Sequence, residues 1–390
     1  MNDKNMIVGI ITAKDPWDKR SWSGTYFRMS QQIKKEFGNV VLLGPVKLSR
    51  FNFYKMQLEL LVSSIAHVVF YQKRFNRLHN HIRSRYHSRF FDSKIKTTIV
   101  DVLFAPAASV EIAHLKTGIP ICYFSDTTFS LIYNYYDTFG PFSSKSVKIS
   151  NEIEFLAITK SITQVYPSSW ALNSAKQDYN AKHPFLVKLG ANFDKNPNKE
   201  DLIKQYDSDI NILFVGVDWK RKGGDIALET IDYLDKKGYK VHLTVCGCTP
   251  PQKHPRMTVI PFLDKNKQED MLKFKNLFHE AHLFFMPTRA ECFGVVFCEA
   301  NAFGLPVITT DTGGTSSVIE DGVNGFILPE SATSVAYADL IMKLIDDKEL
   351  FRKMSNMALQ KYEEELNWTR WGKEMKKILV LTKKLAHERD

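Results

Sequence analysis

The chain has 390 residues, of which 44% are hydrophobic and 25% are charged. This length suits two domains, and the composition is that of a soluble globular protein. The longest apolar stretch, residues 58–71, is too short to span a bilayer and is interrupted by Glu59 and His67. The N-terminus lacks a secretory signal pattern, and the five cysteines form no C-x-x-C pair. Reduced thiols in a cytoplasmic protein are therefore expected.

The net charge of +10 is unevenly distributed along the chain. Residues 1–190 hold 25 Lys and Arg against 13 Asp and Glu, whereas residues 191–390 hold 28 against 30. The basic N-terminal half indicates an anionic partner, either acidic lipid headgroups or a pyrophosphate-bearing acceptor, and plain solubility is the alternative. Nucleic acid is not expected as a partner, because no binding motif accompanies the charge.

The N-terminal half alternates short apolar runs with helical segments, which predicts a parallel α/β sheet. A first strand over residues 6–12 leads through a polar loop to Gly24, where the backbone could approach a ligand closely. Helical patterns follow over residues 53–71 and 72–91, and the second is rich in Lys and Arg. That basic helix could rest on an anionic membrane or pack on its domain with a solvated cationic face. Its histidines are expected at the surface.

Ser125 and Asp126 follow an apolar run over residues 119–124 that is predicted to be a strand. The carboxyl ends of parallel strands form the edge at which such sheets bind ligands, so Asp126 is a candidate functional residue. Alternatively, Asp126 caps the helix that follows. A polar linker over residues 195–209 then indicates a domain boundary near residue 197.

The C-terminal half contains two consecutive strand–loop–helix units, each with glycine where a helix begins. A buried strand over residues 283–286 leads to Glu291 and Gly294, and the next helix carries Glu299. The following strand leads to a second glycine pair. Backbone N–H groups and the helix dipole meet at such points, which therefore suit a phosphate. The alternative is an ordinary Rossmann-like half in which the glycines serve packing.

The order of these residues resembles the donor-binding half of the retaining GT-B glycosyltransferases of family 4 (group 1). The match is specific because glycines, a proline and two carboxylates fall in the order of that family. The matching residues are Glu291, Phe293, Gly294, Glu299, Ala300, Gly304, Pro306, Val307, Gly313, Gly314, Glu320, Gly322, Gly325 and Phe326.

The resemblance implies an α/β fold of two Rossmann-like domains whose parallel sheets face each other across a cleft. Residues 1–197 would form an acceptor-binding domain and residues 198–368 a domain that binds a nucleotide sugar. The C-terminal helix, residues 369–390, would pack back on the first domain.

The resemblance also implies catalytic roles for Glu291, Lys222 and Asp126. Glu291 would face the donor sugar, and Lys222 would offset the charge of the leaving diphosphate. Many family members carry a histidine where this chain has Ser125, so that role is not carried over, and Asp126 is the candidate for orienting a sugar hydroxyl or the acceptor.

The donor-binding residues implied by the resemblance cover the base, the ribose and the diphosphate. Phe262 would lie against the base and Glu299 would hold the ribose hydroxyls. The family's phosphate-binding arginine is absent, because Val217 stands there, and Arg221 or Lys220 could substitute. The full set is Gly24, Arg221, Lys222, Phe262, Glu291, Phe293, Gly294, Val295 and Glu299.

The implied function is a retaining transfer of sugar from a UDP- or GDP-linked donor to a glycan, lipid-linked or small-molecule acceptor in cell-surface polysaccharide or glycoconjugate synthesis. No metal or other cofactor is expected, because the one D-x-D, residues 207–209, lies in the linker and no cluster has metal-ligand spacing. A cytoplasmic protein is expected, with peripheral contact at the inner face of the membrane as a hypothesis. The alternatives are a nucleotide-sugar epimerase or glycan phosphorylase on the same architecture, and a non-catalytic glycan- or lipid-binding module.

Overall fold

The computed structural model describes residues 6–193, 202, 204 and 209–388, which form two α/β units. The first unit contains the described residues up to Ser21, Thr25–Val187, and the chain from Gly372 onward. The second contains Trp22–Gly24 and Lys188–Trp371. The first unit thus ends at Val187, before the boundary predicted near residue 197, and most of the predicted linker lies outside the described residues.

A six-stranded parallel sheet forms the centre of the first unit, with the strand order β2-β1-β3-β4-β5-β6. Its four inner strands are buried along their whole length and its two edge strands only in part, as expected of a parallel sheet covered by helices on both faces. They are β1 (Val8–Ile10), β2 (Val40–Leu42), β3 (Val102–Pro106), β4 (Ile121–Phe124), β5 (Thr163–Tyr166) and β6 (Pro184–Leu186). The helices are α1 (Thr25–Phe37), α2 (Arg50–Tyr71), α3 (His81–Ile95), α4 (Ser109–Ile112), α5 (Phe129–Ile132), α6 (Ser144–Lys160) and α7 (Ser169–Tyr179).

The prediction of a helix over residues 72–91 is wrong for residues 72–80, because α3 begins only at His81. Gln72 takes a left-handed conformation and ends α2. Asn76 Oδ1 accepts the N–H groups of Leu78 and His79 at 3.0 and 3.2 Å, and Asn80 Oδ1 accepts that of Arg83 at 2.9 Å. These side chains satisfy backbone donors that a helix would otherwise pair, so a turn separates α2 from α3.

Two histidines expected at the surface instead pair with polar groups of the first unit, where His87 is buried and the side chain of His79 is 20% exposed. His87 Nδ1 is 2.8 Å from Glu111 Oε1, and His79 Nε2 is 2.8 Å from Ser109 Oγ. Both partners lie on α4. The two histidines, one on α3 and one in the turn before it, therefore provide hydrogen-bonding partners for buried polar groups of α4.

The second unit contains another six-stranded parallel sheet, with the order β12-β11-β10-β7-β8-β9. Read from β9, this is the strand order of a Rossmann fold, which reverses direction between β7 and β10. The strands are β7 (Ile210–Val215), β8 (Val241–Cys246), β9 (Met257–Ile260), β10 (Leu283–Met286), β11 (Val307–Thr310) and β12 (Gly325–Leu328). The helices are α8 (Gly224–Lys236), α9 (Gln268–Glu280), α10 (Val295–Ala302), α11 (Ser334–Asp346), α12 (Lys348–Glu364) and α13 (Trp368–His387).

From Gly372 onward, α13 belongs to the first unit. Lys376 Nζ donates to the carbonyl of Glu36 at the end of α1 at 3.1 Å, and Lys383 Nζ lies 2.7 Å from Asp101 Oδ1, just before β3. The C-terminal helix therefore returns to the first unit, as the family resemblance implies. Within residues 6–193 and 209–388, no helix combines the length and hydrophobicity that crossing a bilayer requires.

Candidate functional site

The candidate site lies where the strand order of the second sheet reverses. β7 and β10 are neighbouring parallel strands, with Ile212 paired to Leu283. Their carboxyl ends consequently lie at the same edge of the sheet. Lys222 lies in the loop after β7, and Glu291 lies in the loop after β10. In open parallel sheets this is the position at which ligands bind.

Lys222 and Glu291 form an ion pair across these two loops. Lys222 Nζ donates to Glu291 Oε2, and the two side chains are only 10% and 13% exposed. The lysine stem packs on Gly216, where an added Cβ would lie 2.7 Å from Lys222 Cγ. Glycine at the end of β7 therefore gives the lysine room to reach Glu291. The pair brings together the two residues that the sequence predicted to be catalytic in this half.

Backbone bonds hold the loops around this ion pair together. The N–H of Arg289 donates to the carbonyl of Arg221 at 2.8 Å, and Arg221 Nη1 donates to the carbonyl of Ala290 at 3.0 Å. The N–H of Gly314, after β11, donates to the carbonyl of Glu291 at 3.1 Å. Three loops thus fix the glutamate, and Arg221 contributes to that framework.

Helix α10 begins beside Glu291. Gly294 precedes it with φ of +88°, and an added Cβ there would lie 2.3 Å from Phe297 Cδ2. Both facts require glycine at this position. Phe293 is buried and anchors the turn, and Val295 is the first helical residue. The first N–H groups of α10 receive no side-chain cap from Gly294. An anion is the ligand that suits such a helix start.

Glu299 is almost completely buried and paired with a cation that the sequence analysis missed. Its side chain is 3% exposed, and Lys265 Nζ lies 2.9 Å from Glu299 Oε1. The same ammonium lies 4.0 Å from the centre of the Phe274 ring. Lys265 lies between β9 and α9, which begins at Gln268. Lys265 could have been identified from the sequence as a cation that shortly follows a predicted strand, at the edge of the sheet where ligands bind.

Of two further residues implied to bind the donor, Phe262 is exposed and Gly24 is buried. Phe262 follows β9 and is 57% exposed, which is unusual for a phenylalanine. Gly24 has φ of +90°, and its segment belongs to the second unit, where Ser23 accepts from Asn192 Nδ2 at 2.8 Å.

Asp126 lies in the first unit, directly after β4. The residue that precedes α5 is Thr128, so Asp126 does not occupy the N-cap position of that helix. Ser125 Oγ donates to the carbonyl of Thr127 at 2.7 Å, which fixes the turn. Burial, followed by the carboxylates of Glu111 and Asp126, raises the pKa of Tyr26. The Asp126 carboxylate therefore acts electrostatically on a buried phenol in the same unit.

Two thiols near the second sheet are not nucleophiles. Burial raises the pKa of Cys246 to about 12 and that of Cys248 to about 11, so both remain protonated at neutral pH. Over the part of the chain that the structure describes, no three His, Cys, Asp or Glu side chains are grouped to hold a metal ion. Metal independence stays a prediction.

Comparisons with known proteins agree with this geometry. Residues 196–361 match the family model described as glycosyl transferases group 1. The capsular polysaccharide biosynthesis glycosyltransferase CapM of Staphylococcus aureus is 27% identical over 55% of this chain and 58% of CapM. A D-inositol 3-phosphate glycosyltransferase of Paenarthrobacter aurescens is 28% identical over 41% of each chain. The alignments thus span well under two-thirds of these curated relatives.

Solved structures are similar over nearly the whole chain. Sucrose-phosphate synthase from Thermosynechococcus elongatus matches with a TM-score of 0.69 at 14% identity, covering 97% of this chain and 98% of that one. WaaG, a glycosyltransferase involved in lipopolysaccharide biosynthesis, matches with a TM-score of 0.63 at 14% identity, covering 96% and 100%. Identities this low show the fold, which is that of the GT-B glycosyltransferases. The match of residues 196–361 to the group 1 glycosyl transferases confirms the family resemblance drawn from the sequence.

Proposed function

We propose that this protein is a retaining glycosyltransferase that moves a sugar from a UDP- or GDP-linked donor to a glycan, lipid-linked or small-molecule acceptor. The observation that carries the proposal is the ion pair of Lys222 and Glu291 at the reversal of strand order in the second sheet. A cation, a carboxylate and an uncapped helix start meet there, and a nucleoside diphosphate bonded to a sugar carries groups that suit all three.

Each group has a distinct role in this proposal. Lys222 and the first N–H groups of α10, at Val295, hold the diphosphate. Glu291 faces the sugar, and its position is set by the loops that follow β7, β10 and β11. Glu299 accepts from the ribose hydroxyls, with Lys265 holding its carboxylate in place. Phe262 lies against the base.

The reaction forms a bond between an acceptor oxygen and the anomeric carbon while the bond from that carbon to the donor phosphate breaks. The acceptor hydroxyl gives its proton to the departing diphosphate on the same face of the sugar. Negative charge grows on the diphosphate as the bond breaks, and Lys222 stabilises it where water is largely excluded. No metal ion or other cofactor is part of this proposal.

The relatives support a role in polysaccharide or glycoconjugate synthesis. CapM is named for capsular polysaccharide biosynthesis and WaaG for lipopolysaccharide biosynthesis. A structure of TarM, at 15% identity and a TM-score of 0.57, contains UDP and α-GlcNAc-glycerol. A UDP-linked donor and a surface-glycan acceptor are therefore the first substrates to test.

A peripheral contact with an anionic membrane, from the cytoplasmic side, completes the proposal. It is supported by the excess of cations in residues 1–190, which would attract acidic headgroups. A lipid-linked acceptor would then be met at the surface where it resides.

The direct test is release of UDP or GDP from UDP-glucose, UDP-N-acetylglucosamine or GDP-mannose, with alkyl glycosides as acceptors. Wild-type protein should release nucleotide from one donor and form a glycoside with the donor's anomeric configuration, seen by NMR. The Lys222→Met variant should lose this activity, while Lys240→Met, which changes an exposed lysine just before β8, should retain it. A new nucleotide sugar without released nucleotide would establish an epimerase instead. Binding without turnover would favour the non-catalytic module.

A further inference from the structure

Helix α2 of the first unit exposes an apolar stripe that the proposed donor site does not use. Its outward side chains are Tyr54, Leu58, Leu61, Val62, Ile65 and Val69, which are 69%, 61%, 47%, 58%, 55% and 64% exposed. At about 100° per residue these positions span an arc of about 100° along the helix. Phe51 and Phe70, 75% and 78% exposed, extend the apolar surface towards the two ends.

The opposite face of α2 fixes the helix to the protein. Met56 and Leu60 are buried against Phe75 and Tyr86, and His67 is buried beside Phe75. The hydrophobic packing therefore holds one face of the helix and leaves the other in solvent. Soluble proteins rarely expose a contiguous apolar surface of this size without a partner.

The charged residues around the stripe indicate an anionic partner. Lys47, Arg50 and Lys55 lie at its beginning and Lys73 and Arg77 beyond its end, and all five are exposed. The one acid in residues 47–78 is Glu59, whose Oε1 accepts from Tyr86 Oη at 2.8 Å. An uncharged apolar stripe with cations at both ends matches the interface of an anionic bilayer, where apolar side chains enter the acyl boundary and cations meet headgroups.

A second copy of the chain is a poorer occupant. Pairing two copies through the stripe would bring their terminal cations together, and like charges oppose association.

We propose that the exposed stripe of α2 is the surface through which this protein docks on an anionic membrane. The helix lies parallel to the bilayer, with the stripe in the acyl boundary and the terminal cations among the headgroups. This inference rests on the membrane contact proposed above and is independent of glycosyl transfer.

Co-sedimentation of the full chain with vesicles tests the docking surface. Vesicles of phosphatidylcholine mixed with phosphatidylglycerol are compared with vesicles of phosphatidylcholine alone. The stripe variant is Leu58→Gln/Leu61→Gln/Ile65→Gln. Its matched control, Ile99→Gln/Phe155→Gln/Leu272→Gln, changes three side chains outside α2 that are 84%, 47% and 59% exposed. Melting temperatures confirm that each variant folds.

The wild type and the control should bind anionic vesicles alike, and the stripe variant should bind at least about tenfold more weakly. A Lys55→Gln/Lys73→Gln variant should lose about fivefold per lysine on anionic vesicles. Equal binding of stripe variant and wild type would overturn the assignment to α2 while leaving a general basic contact. No binding by the wild type would overturn membrane docking altogether, and a dimer that only the stripe variant loses would make a second copy the occupant. Nucleotide stabilisation, measured on the same samples, reports separately on the proposed donor site.

Discussion

The ammonium group of Lys222 donates to Oε2 of Glu291 and so joins the loops that follow two neighbouring strands of the second sheet. The two residues are 69 positions apart in the chain. Their pairing keeps a carboxylate and a cation beside the start of α10, at the edge of the sheet where its strand order reverses. The chain's own contacts therefore hold the proposed catalytic charges together, which is the form of preorganisation that electrostatic catalysis requires.

Replacing Lys222 with methionine should abolish most of the activity. Loss of one preorganised charge typically lowers kcat about 100- to 1000-fold, and we expect kcat/KM to fall at least as much. The variant also removes the ammonium that pairs with the largely buried Glu291, and breaking a buried ion pair costs about 3–5 kcal/mol in comparable sites. Steady-state kinetics and thermal melting measure the two effects separately.

The double variant Lys222→Met/Glu291→Gln separates stability from catalysis at this pair. Removing both charges should recover much of the lost stability, because no unpaired charge remains buried. Activity should stay low. If activity returned together with stability, the ion pair would be a purely structural element.

Glu299 should be required for donor binding more than for the chemical step. We expect Glu299→Gln to weaken binding of the nucleoside diphosphate about tenfold or more, because the amide is a poorer acceptor from two hydroxyls than a carboxylate. Lys265→Met should weaken binding less, since it removes the group that orients Glu299. Isothermal titration calorimetry gives both affinities, and unchanged affinity in Glu299→Gln would contradict the ribose-binding role.

Gly294→Ala should destabilise the second unit and impair donor binding. The position has φ of +88°, which costs an L-residue about 1–2 kcal/mol, and the new methyl group would lie 2.3 Å from the Phe297 ring. Gly322→Ala is the matched control, because Gly322 has φ of +74° but open space around its Cα. If Gly294→Ala lowers the melting temperature more than Gly322→Ala does, the difference measures the clash of the new methyl group with Phe297. Equal decreases would mean that the positive φ is the only cause of the destabilisation.

The stability of the first unit should respond to pH through two buried groups of opposite sign. Burial lowers the pKa of His79 to about 4 and raises that of Glu154 to about 7, and their Nε2 and Oε2 atoms are 3.8 Å apart. Between about pH 4 and 6.5, His79 is protonated in the unfolded chain and neutral in the folded chain, so His79 makes the free energy of unfolding rise with pH. Between about pH 4.5 and 7, Glu154 is protonated in the folded chain and ionised in the unfolded chain, so Glu154 makes the free energy of unfolding fall with pH.

Glu154→Gln removes the second term and keeps an acceptor for Tyr123 Oη, which lies 2.9 Å from Glu154 Oε1. The free energy of unfolding of the variant should therefore rise more steeply from about pH 5 to about pH 6.5 than that of the wild type. Urea unfolding across this range measures both slopes. A variant slope equal to or shallower than the wild-type slope would show that Glu154 is already ionised there.

Activity should persist in EDTA. The proposal assigns stabilisation of the diphosphate to Lys222 and backbone N–H groups, so removal of divalent cations should leave kcat/KM unchanged within about twofold. The check is the nucleotide-release assay after dialysis against chelator. Loss of activity that Mg²⁺ or Mn²⁺ restores would show that a metal ion shares this role.

The regular elements of the second unit could be predicted from local patterns. The strand predicted over residues 283–286 matches β10, because a continuous apolar run ending at a proline specifies a buried parallel strand. Local patterns could not predict the pairing of Lys265 with Glu299. The two residues are 34 positions apart in the chain, and the strands that precede them, β9 and β10, are separated in the sheet by two other strands.

The first unit shows two further limits of sequence reasoning. The apolar residues of α2 surround the whole helix, a pattern that does not distinguish a buried face from an exposed one. The burial of His79 and His87 depends on Ser109 and Glu111, which lie on a short helix beyond α3 in the chain. Such partners become visible only when the tertiary structure brings them together.

We expect a nucleoside diphosphate to bind at the reversal of strand order in the second sheet. Thermal melting of the purified protein with UDP, GDP or ADP, in the absence of metal, measures this binding, alongside Glu299→Ala and the exposed control Glu330→Ala. A ligand that binds only the folded state at 100 times its Kd adds about 2.7 kcal/mol of stability. One nucleotide should raise the melting temperature of the wild type and of Glu330→Ala but not that of Glu299→Ala. No stabilisation by any nucleotide, or equal stabilisation of all three proteins, would show that no donor nucleotide binds at this site.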